Sequence, residues 1–341
     1  DGFTVIWTTT TDAAAWVETA PDDGTHFYAV ERPKYYDSHL GRRRLGKLHR
    51  VRVSGLEPGK TYRYRIMQQA VLSDEGNKRV VLGEGYGSDI LKHAPYPVTT
   101  PSADRNELEF WMVNDIHGRD SVFRLLIGDA PRQKPDFVCL NGDLLNSIES
   151  EKALFEGFLA SASELLTPAG IPLVVTRGNH DGRGKFARHW LDYFPTPTGE
   201  SYYTFRRGPV FFVVLDGCED KPDSDIRYYG LSTADAYREQ QAQWLRGVVA
   251  GEEFRSAPYR IVLIHMPPNK GRGWHGELEI ERLFLPILDG SGIDLMLCGH
   301  YHRYQWIDDL SRGADFPILI NSNSDKTVVT AGAKGIDIRV V

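Results

Sequence analysis

Cysteine is scarce, three residues in 341, and the three make no even framework. Cys139, Cys218 and Cys298 each lie in or beside an apolar, strand-like run, where a thiol serves as a small core residue, so a disulfide-stapled fold is excluded as the organising principle. No uninterrupted run of about 18 apolar residues occurs, which excludes a bilayer-spanning helix. A basic excess is also missing: 40 Lys and Arg stand against 46 Asp and Glu, for a net charge of −6. No global field draws the chain to nucleic acid or to an anionic membrane, so an anionic substrate has to be held by a local site. The opening at Asp1, without Met, leaves open whether an export signal was removed.

What is present is an ordinary globular composition, 41% hydrophobic and 25% charged, with 33 Gly and 19 Pro marking many turns. The length suggests roughly two domains. Through residue 100 the pattern has period two. Phe3, Val5 and Trp7 alternate with Thr4, Ile6 and Thr8, and Tyr62, Tyr64 and Ile66 alternate with Arg63 and Arg65, as half-buried strands do. Leu56, Pro58 and Tyr62 have the spacing of a tyrosine corner at the entry to a sandwich strand, and the segment resembles a fibronectin type III-like, immunoglobulin-like β-sandwich. The run Arg42-Arg43-Arg44 reads as a solvated loop. The segment from Tyr96 to Ser102 reads as a last strand followed by a linker, because Pro101 cannot continue a ladder, which places a first domain at 1–101 and a second at 102–341.

The second domain changes rhythm. Apolar runs at 108–113, 136–140, 171–175, 210–215, 260–264 and 293–298 alternate with helical stretches at 149–166 and 233–250, the mark of a layered α/β domain. In the latter helix Ala236, Tyr237, Gln240, Trp244, Leu245 and Val248 are expected to face the core, with Ser232 or Thr233 as N-cap.

Five motifs stand where an apolar strand gives way to a loop, the edge at which open α/β sheets collect functional groups. They are Asn114-Asp115-Ile116-His117, Asn141-Gly142-Asp143, Arg177-Gly178-Asn179-His180-Asp181, Ile264-His265-Met266-Pro267 and Cys298-Gly299-His300-Tyr301-His302. Singly each is commonplace. Together Asp115, His117, Asp143, Asn179, His265, His300 and His302 supply two carboxylates, an amide oxygen and four imidazoles, a mixed oxygen and nitrogen set that suits divalent Mn, Fe or Zn and lacks the thiolates of a structural zinc site.

In this order the motifs resemble those of the calcineurin-like metallophosphoesterases, from Leu108 to near the end of the chain. With a fibronectin-like domain before them, they are similar to the purple acid phosphatase branch. The resemblance implies a four-layer α/β/β/α sandwich and two divalent metal ions. Asp115, His117 and His302 would hold the first, and Asn179, His265 and His300 the second, with Asp143 bridging both. It implies hydrolysis of phosphoric esters, with a hydroxide between the ions attacking phosphorus and His180 assisting the leaving group. Asp181 would orient His180, Arg177 would either contact the phosphate or stand in a surface salt bridge, and His275, in the glycine-rich loop 267–277, would be a second proton donor. Trp274 in that loop is either a stacking platform or a loop anchor.

One departure matters. Purple acid phosphatases carry Asp-x-Gly in the first motif and a Tyr three positions after the bridging Asp, whereas this chain has His117 and Asn146. The coloured tyrosinate centre is not expected, and the arrangement resembles that of phosphodiesterases. Expected substrates are small-molecule or nucleotide phosphate esters, with no specific nucleic acid. A phosphodiesterase or nucleotidase and an inactive scaffold are the competing readings. The architecture implies a location outside the cytoplasm.

Overall fold

The computed structural model describes residues 2–87, 93–102, 104–268, 271, 273–308 and 314–341. They form two compact units, Asp1–Ser102 with Thr167–Gly170, and Ala103–Leu166 with Ile171–Val341.

The first unit is a β structure organised by the strand Phe3–Pro21. Its first part pairs antiparallel with Leu45–Val53 and its last part with Thr61–Asp74, after a register shift between Thr8 and Ala13 that lets it change partner. Alternation places Val5, Val17, Val51, Val53, Tyr64 and Val98 in one core. The tyrosine-corner spacing is realised: the Tyr62 hydroxyl accepts a hydrogen bond from Glu57 N–H at 3.1 Å. The arginine run is not a plain loop. Arg42 and Arg43 form a short ladder with Ser38 and His39, and the Arg43 guanidinium lies over the rings of Trp16 and Tyr36.

The second unit contains two sheets. In the first, Leu173–Thr176, Phe137–Asn141 and Leu108–Val113 run parallel, and Thr327–Gly332 and Gly335–Val340 complete it antiparallel. In the second, Val210–Val214, Tyr259–Leu263, Leu295–Cys298 and Ile318–Ile320 run parallel between antiparallel edges Tyr203–Arg207 and Gln305–Ile307. Alternate residues of both sheets, among them Phe110, Met112, Phe137, Phe212, Leu263, Leu297 and Val329, share one buried layer. The opposite face of the second sheet is covered by the helices Ala234–Ala250, Glu252–Ser256, His275–Leu283 and Leu285–Leu288 through Leu245, Phe254, Ile280 and Leu288. The three thiols are buried and unbridged. No described helix is long and apolar enough to cross a membrane.

Helix Ala234–Ala250 differs from expectation in two ways. Thr233 occupies the cap position but makes no side-chain bond; the Asp223 carboxylate instead accepts from the N–H groups of Ala234 and Asp235, at 2.8 and 3.3 Å, and from the Ser232 hydroxyl. The buried face carries Ala234, Arg238, Gln241, Ala242 and Leu245, while Ala236 and Gln240 are exposed. The rotation has a polar cause. Arg238 donates to the carbonyls of Gly217 and Glu219, and Gln241 bonds both backbone groups of Asp216, so two buried polar residues of the helix hold the loop that leaves Val210–Val214.

Phe212 stacks on Phe205 at 4.6 Å and meets Phe110 and Phe137 edge-on at 5.3 and 5.4 Å. Truncation there opens a cavity between two sheets that cannot collapse independently. Phe212→Ala is expected to cost about 3–5 kcal/mol, read from denaturant unfolding; a loss under about 1 kcal/mol would mean that the aromatic layer does not carry the sheet contact.

Candidate metal centre

Each of the five motifs leaves the C-terminal end of a parallel strand, the two-layer sandwich thus gathering chain turns at one edge of each sheet. The turns are tight. Asp115, His117, Asp143, His300 and His302 all adopt left-handed backbone conformations, with φ of 53°, 52°, 53°, 75° and 56°. For a non-glycine residue that region costs roughly 1 kcal/mol or more. Five such residues forfeit a sizeable share of an ordinary folding margin of about 5–15 kcal/mol, strain of a kind that clusters at functional sites. The motif glycines explain how the turns interlock. A Cβ on Gly142 would lie 2.5 Å from the His265 ring, and one on Gly178 would lie 2.2 Å from Asp143 Oδ1.

The donors converge. Oδ2 of the fully buried Asp115 accepts from the Asn114 amide at 2.7 Å and from His300 N–H at 2.8 Å. Its Oδ1 is left facing His302, His117 and His265, whose Nε2 atoms lie 3.1, 3.6 and 3.7 Å away. Asp143 Oδ1 accepts from His180 N–H at 2.8 Å, and Oδ2 lies 3.2 Å from His265 Nε2. His265 Nδ1 donates to the Asn141 carbonyl at 2.8 Å, which turns Nε2 inward, towards the two carboxylates. His117 Nε2 and His302 Nε2 are 3.0 Å apart, and His300 Nδ1 is 3.0 Å from Asn179 Oδ1. Two triads result, Asp115 with His117 and His302, and Asp143 with His265 and His300, each with its ligand atoms within 4.8 Å of one another.

Electrostatics shows what the pocket asks for. Burial opposes ionisation of Asp115, but the charge of His265, the neighbouring His117 and His302 imidazoles and the Asn114 amide outweigh it and hold the carboxyl well below its usual range. Asp143 is lowered in the same way, burial opposing and His265 prevailing. His265, whose charged form burial disfavours, is driven up to about 10 by Asp143 and Asp115. His300 falls to about 4 through burial and the charge of His265. Asp115 Oδ1 and His265 Nε2 are buried without a hydrogen-bond partner among the described residues. Unpaired acceptors aimed at the same space as a second carboxylate fit cations of +2 charge, and the nitrogen and oxygen donors fit Mn, Fe or Zn.

All seven proposed ligands therefore meet, while three of the four expected catalytic residues are placed otherwise. Asp181 does not orient His180. Its buried carboxylate accepts from the backbone N–H groups of Asp143 and Gly178 on Oδ2, at 2.8 and 2.9 Å, and of Leu144 and Leu145 on Oδ1, at 3.0 and 3.4 Å. Burial and the neighbouring Asp143 push it up to about 7. Arg177 is taken by an ion pair with the fully buried Asp216, Nε to Oδ2 2.7 Å. His275 bonds the Asp235 carboxylate at 2.8 and 3.0 Å, and no described hydrogen bond ties it to the triads. His180 does lie at the site, its ring edge-on to that of His117 at 5.1 Å and its Nδ1 donating to the Asn146 carbonyl at 3.0 Å. Trp274 is 56% exposed beneath Lys221 Nζ, 4.8 Å from its ring centre. Asn269, Lys270 and Arg272 of the glycine-rich loop lie outside the described residues.

Several residues escaped the sequence reading. Asn114 orients Asp115. The buried Glu277 accepts from the Tyr301 hydroxyl at 2.5 Å and lies 3.7 Å from His300 Nε2. Arg183 is held by Glu219 and Asp220 next to His180. Asn114 stands inside a motif, and Arg183 follows His180 within one tight turn; nothing in the sequence marks Glu277, which depends on how its helix lands.

The role of Asp181 has a direct test. In Asp181→Asn one oxygen becomes an NH2 facing two backbone donors, at the same volume. A loss of about 1–3 kcal/mol is expected in thermal or denaturant unfolding; an unchanged midpoint would show that the four N–H groups do not depend on this carboxylate.

Comparison with known proteins agrees with this construction. Purple acid phosphatase 22 of Arabidopsis thaliana is 23% identical over 283 residues, covering 76% of this chain and 54% of that one. The serine/threonine-protein phosphatase CPPED1 of Pongo abelii is 25% identical over 178 residues, covering 50% and 54%. The chain thus spans about half the length of the curated relatives it matches. Among solved structures, the purple acid phosphatase PPD1 from yellow lupin (Lupinus luteus) seeds superposes with a TM-score of 0.65 at 14% identity, over 99% of this chain and 70% of that one, a likeness of fold. The model of the calcineurin-like phosphoesterase family matches residues 108–304, more than half of the chain and the whole span of the two triads, and the chain belongs to that family.

Proposed function

We propose that the chain is a metal-dependent hydrolase of phosphoric esters using two divalent ions, Mn, Fe or Zn. The observation that carries the reading is the pair of buried carboxylates, Asp115 and Asp143, facing one imidazole with an acceptor atom unpaired. Asp115, His117 and His302 would hold one ion, and Asn179, His265 and His300 the other, with Asp143 between them. Such a pair polarises a phosphoryl oxygen and makes hydroxide accessible near neutral pH.

The chain's own residues account for the rest. Hydrolysis joins a water oxygen to phosphorus and breaks the bond from phosphorus to the ester oxygen, which then takes a proton. His180 is suited to hold that proton at Nε2, because Nδ1 is committed to the Asn146 carbonyl and the backbone N–H to Asp143. Its ring is thereby fixed beside His117. The buried Asp181 keeps the turn between Asp143 and Leu145 in place, so that its contribution is positional. For the N-terminal unit we retain the fibronectin type III-like reading, supported by the Tyr62 corner.

The manganese-loaded chain is expected to hydrolyse nitrophenyl phosphate esters and to lose that activity on exhaustive chelation. Asp143→Asn is expected to lose both ions, read by elemental analysis, and to fall to background turnover. Full activity after chelation would reject the proposal, as would a metal-free protein with a flat ester assay, the behaviour of an inactive scaffold.

A further inference from the structure

We propose that Arg183 is a substrate-binding residue that donates to a terminal phosphoryl oxygen beside His180 and thereby favours phosphomonoesters over diesters. The inference rests on the hydrolase reading above and adds to it a substrate class.

The argument starts from where the five guanidinium N–H groups go. Nε donates to Glu219 Oε2 at 3.1 Å, and Nη2 donates to Glu219 Oε2 and Asp220 Oδ1, each at 2.9 Å. Nη1 has a different environment, 3.1 Å from Nε2 and 3.3 Å from Nδ1 of His180. An atom can keep two such short, nearly equal distances only over the face of the imidazole, since in the ring plane it would collide with the carbon between the nitrogens. The ring lone pairs lie in that plane, and Nδ1 is already engaged by Asn146. Both N–H groups of Nη1 therefore lack an oxygen acceptor among the described residues, at the side of His180, whose ring neighbours that of His117.

Glu219 Oε2 and both oxygens of Asp220 have further partners besides Arg183. Lys221 Nζ lies 2.8 and 2.7 Å from the two oxygens of Asp220, and the Tyr228 hydroxyl donates to Glu219 Oε2 at 3.0 Å. Two carboxylates offset two cations in this cluster, which leaves Arg183 little long-range attraction for an anion. What it retains is direction: a planar fork clamped on one edge, with the other edge open. A directional donor distinguishes substrates by how many oxygens they present. A phosphomonoester has three terminal oxygens and a diester two. If two face the cation pair, a third is left for Arg183 in the monoester alone. Arg177, the other arginine of the motif, cannot serve, because Asp216 occupies it.

The experiment uses the manganese-loaded chain, p-nitrophenyl phosphate, bis(p-nitrophenyl) phosphate and inorganic phosphate. Arg183→Ala is expected to lower kcat/KM for the monoester roughly 10²-fold while changing the diester by less than about threefold. Calorimetric affinity for inorganic phosphate should weaken at least about tenfold. Added guanidinium chloride should restore part of the monoester rate, which a distorted fold would not allow, and Arg183→Lys, which keeps a charge on the same anchors, should fall between wild type and Arg183→Ala. Equal losses on both esters, or an unchanged phosphate affinity, would overturn the inference while leaving the hydrolase reading intact. A wild-type protein that turns over neither ester would sink both.

Discussion

Two carboxylates enclosed within 4 Å of one imidazole nitrogen are the constraint on which this domain is built. Like charges so close, removed from water, repel strongly unless a positive charge sits among them. The protein supplies a partial answer in His265, which Asp143 and Asp115 together force towards its charged form against the effect of burial. That answer is incomplete, because a protonated His265 cannot also bind a cation, and because Asp115 Oδ1 stays unpaired while its twin Oδ2 receives two hydrogen bonds. A stability-driven design would have bonded both oxygens or replaced the pair by apolar groups. Divalent ions held by Asp115, His117 and His302 and by Asp143, His265 and His300 would supply the missing positive charge.

The same constraint explains why the surrounding backbone is strained and how it is held. Five ligand-bearing residues sit in left-handed conformations because short turns must bring side chains from different strands to one point. Nothing local favours this; the loops secure one another. Gly178 rests on Asp143 and Gly142 on His265, so neither turn can relax without displacing a side chain of a neighbouring motif. Asp181 completes the lock by gathering N–H groups from two motifs on one carboxylate. Farther out, Arg238 and Gln241 fix the 216–219 loop, and Asp216 then takes Arg177 while Glu219 takes Arg183. A helix on the outer face of the second sheet thus decides which arginine is left to face the site.

This chain of dependence also accounts for what could be read in advance. The parallel strands were legible because buried strands are uniform apolar runs, and the convergence of the seven candidate ligands because polar, ionisable groups repeated at apolar strand ends call for a common purpose. The edges at Tyr203–Arg207 and Gln305–Ile307 were not, since mixed polar runs carry no such contrast. The buried face of Ala234–Ala250 was legible only in part: Leu245, Trp244 and Val248 do pack on the core, but periodicity counts hydrophobic residues and passes over Arg238 and Gln241, which also turn inward. For Arg177 the sequence leaves a phosphate contact and a salt bridge both open, and for Asp181 it offers His180 as the partner. Their real partners, Asp216 and the N–H groups of the Asp143 turn, come from other strands, and a sequence does not show which loops will touch.

His117 can be weighed on geometry instead of resemblance. Its Nε2 lies 3.0 Å from that of His302 and 3.6 Å from Asp115 Oδ1, so it adds a neutral nitrogen donor to a triad with one carboxylate. A phenolate in its stead would add a negative charge to a pocket that already struggles with two. With ions bound, a neutral donor would leave more of their charge for an anionic ester. It does not by itself distinguish esters, because it lies on the ligand side of the site. Discrimination has to come from groups that meet the outer oxygens, and on the described surface beside His180 that group is the open edge of Arg183. Asn146 contributes there too, through its backbone carbonyl: by holding His180 Nδ1 it fixes the ring over which that edge lies. The two departures from the purple acid phosphatase pattern therefore stand on opposite sides of the site, His117 in a candidate metal triad and Asn146 behind His180.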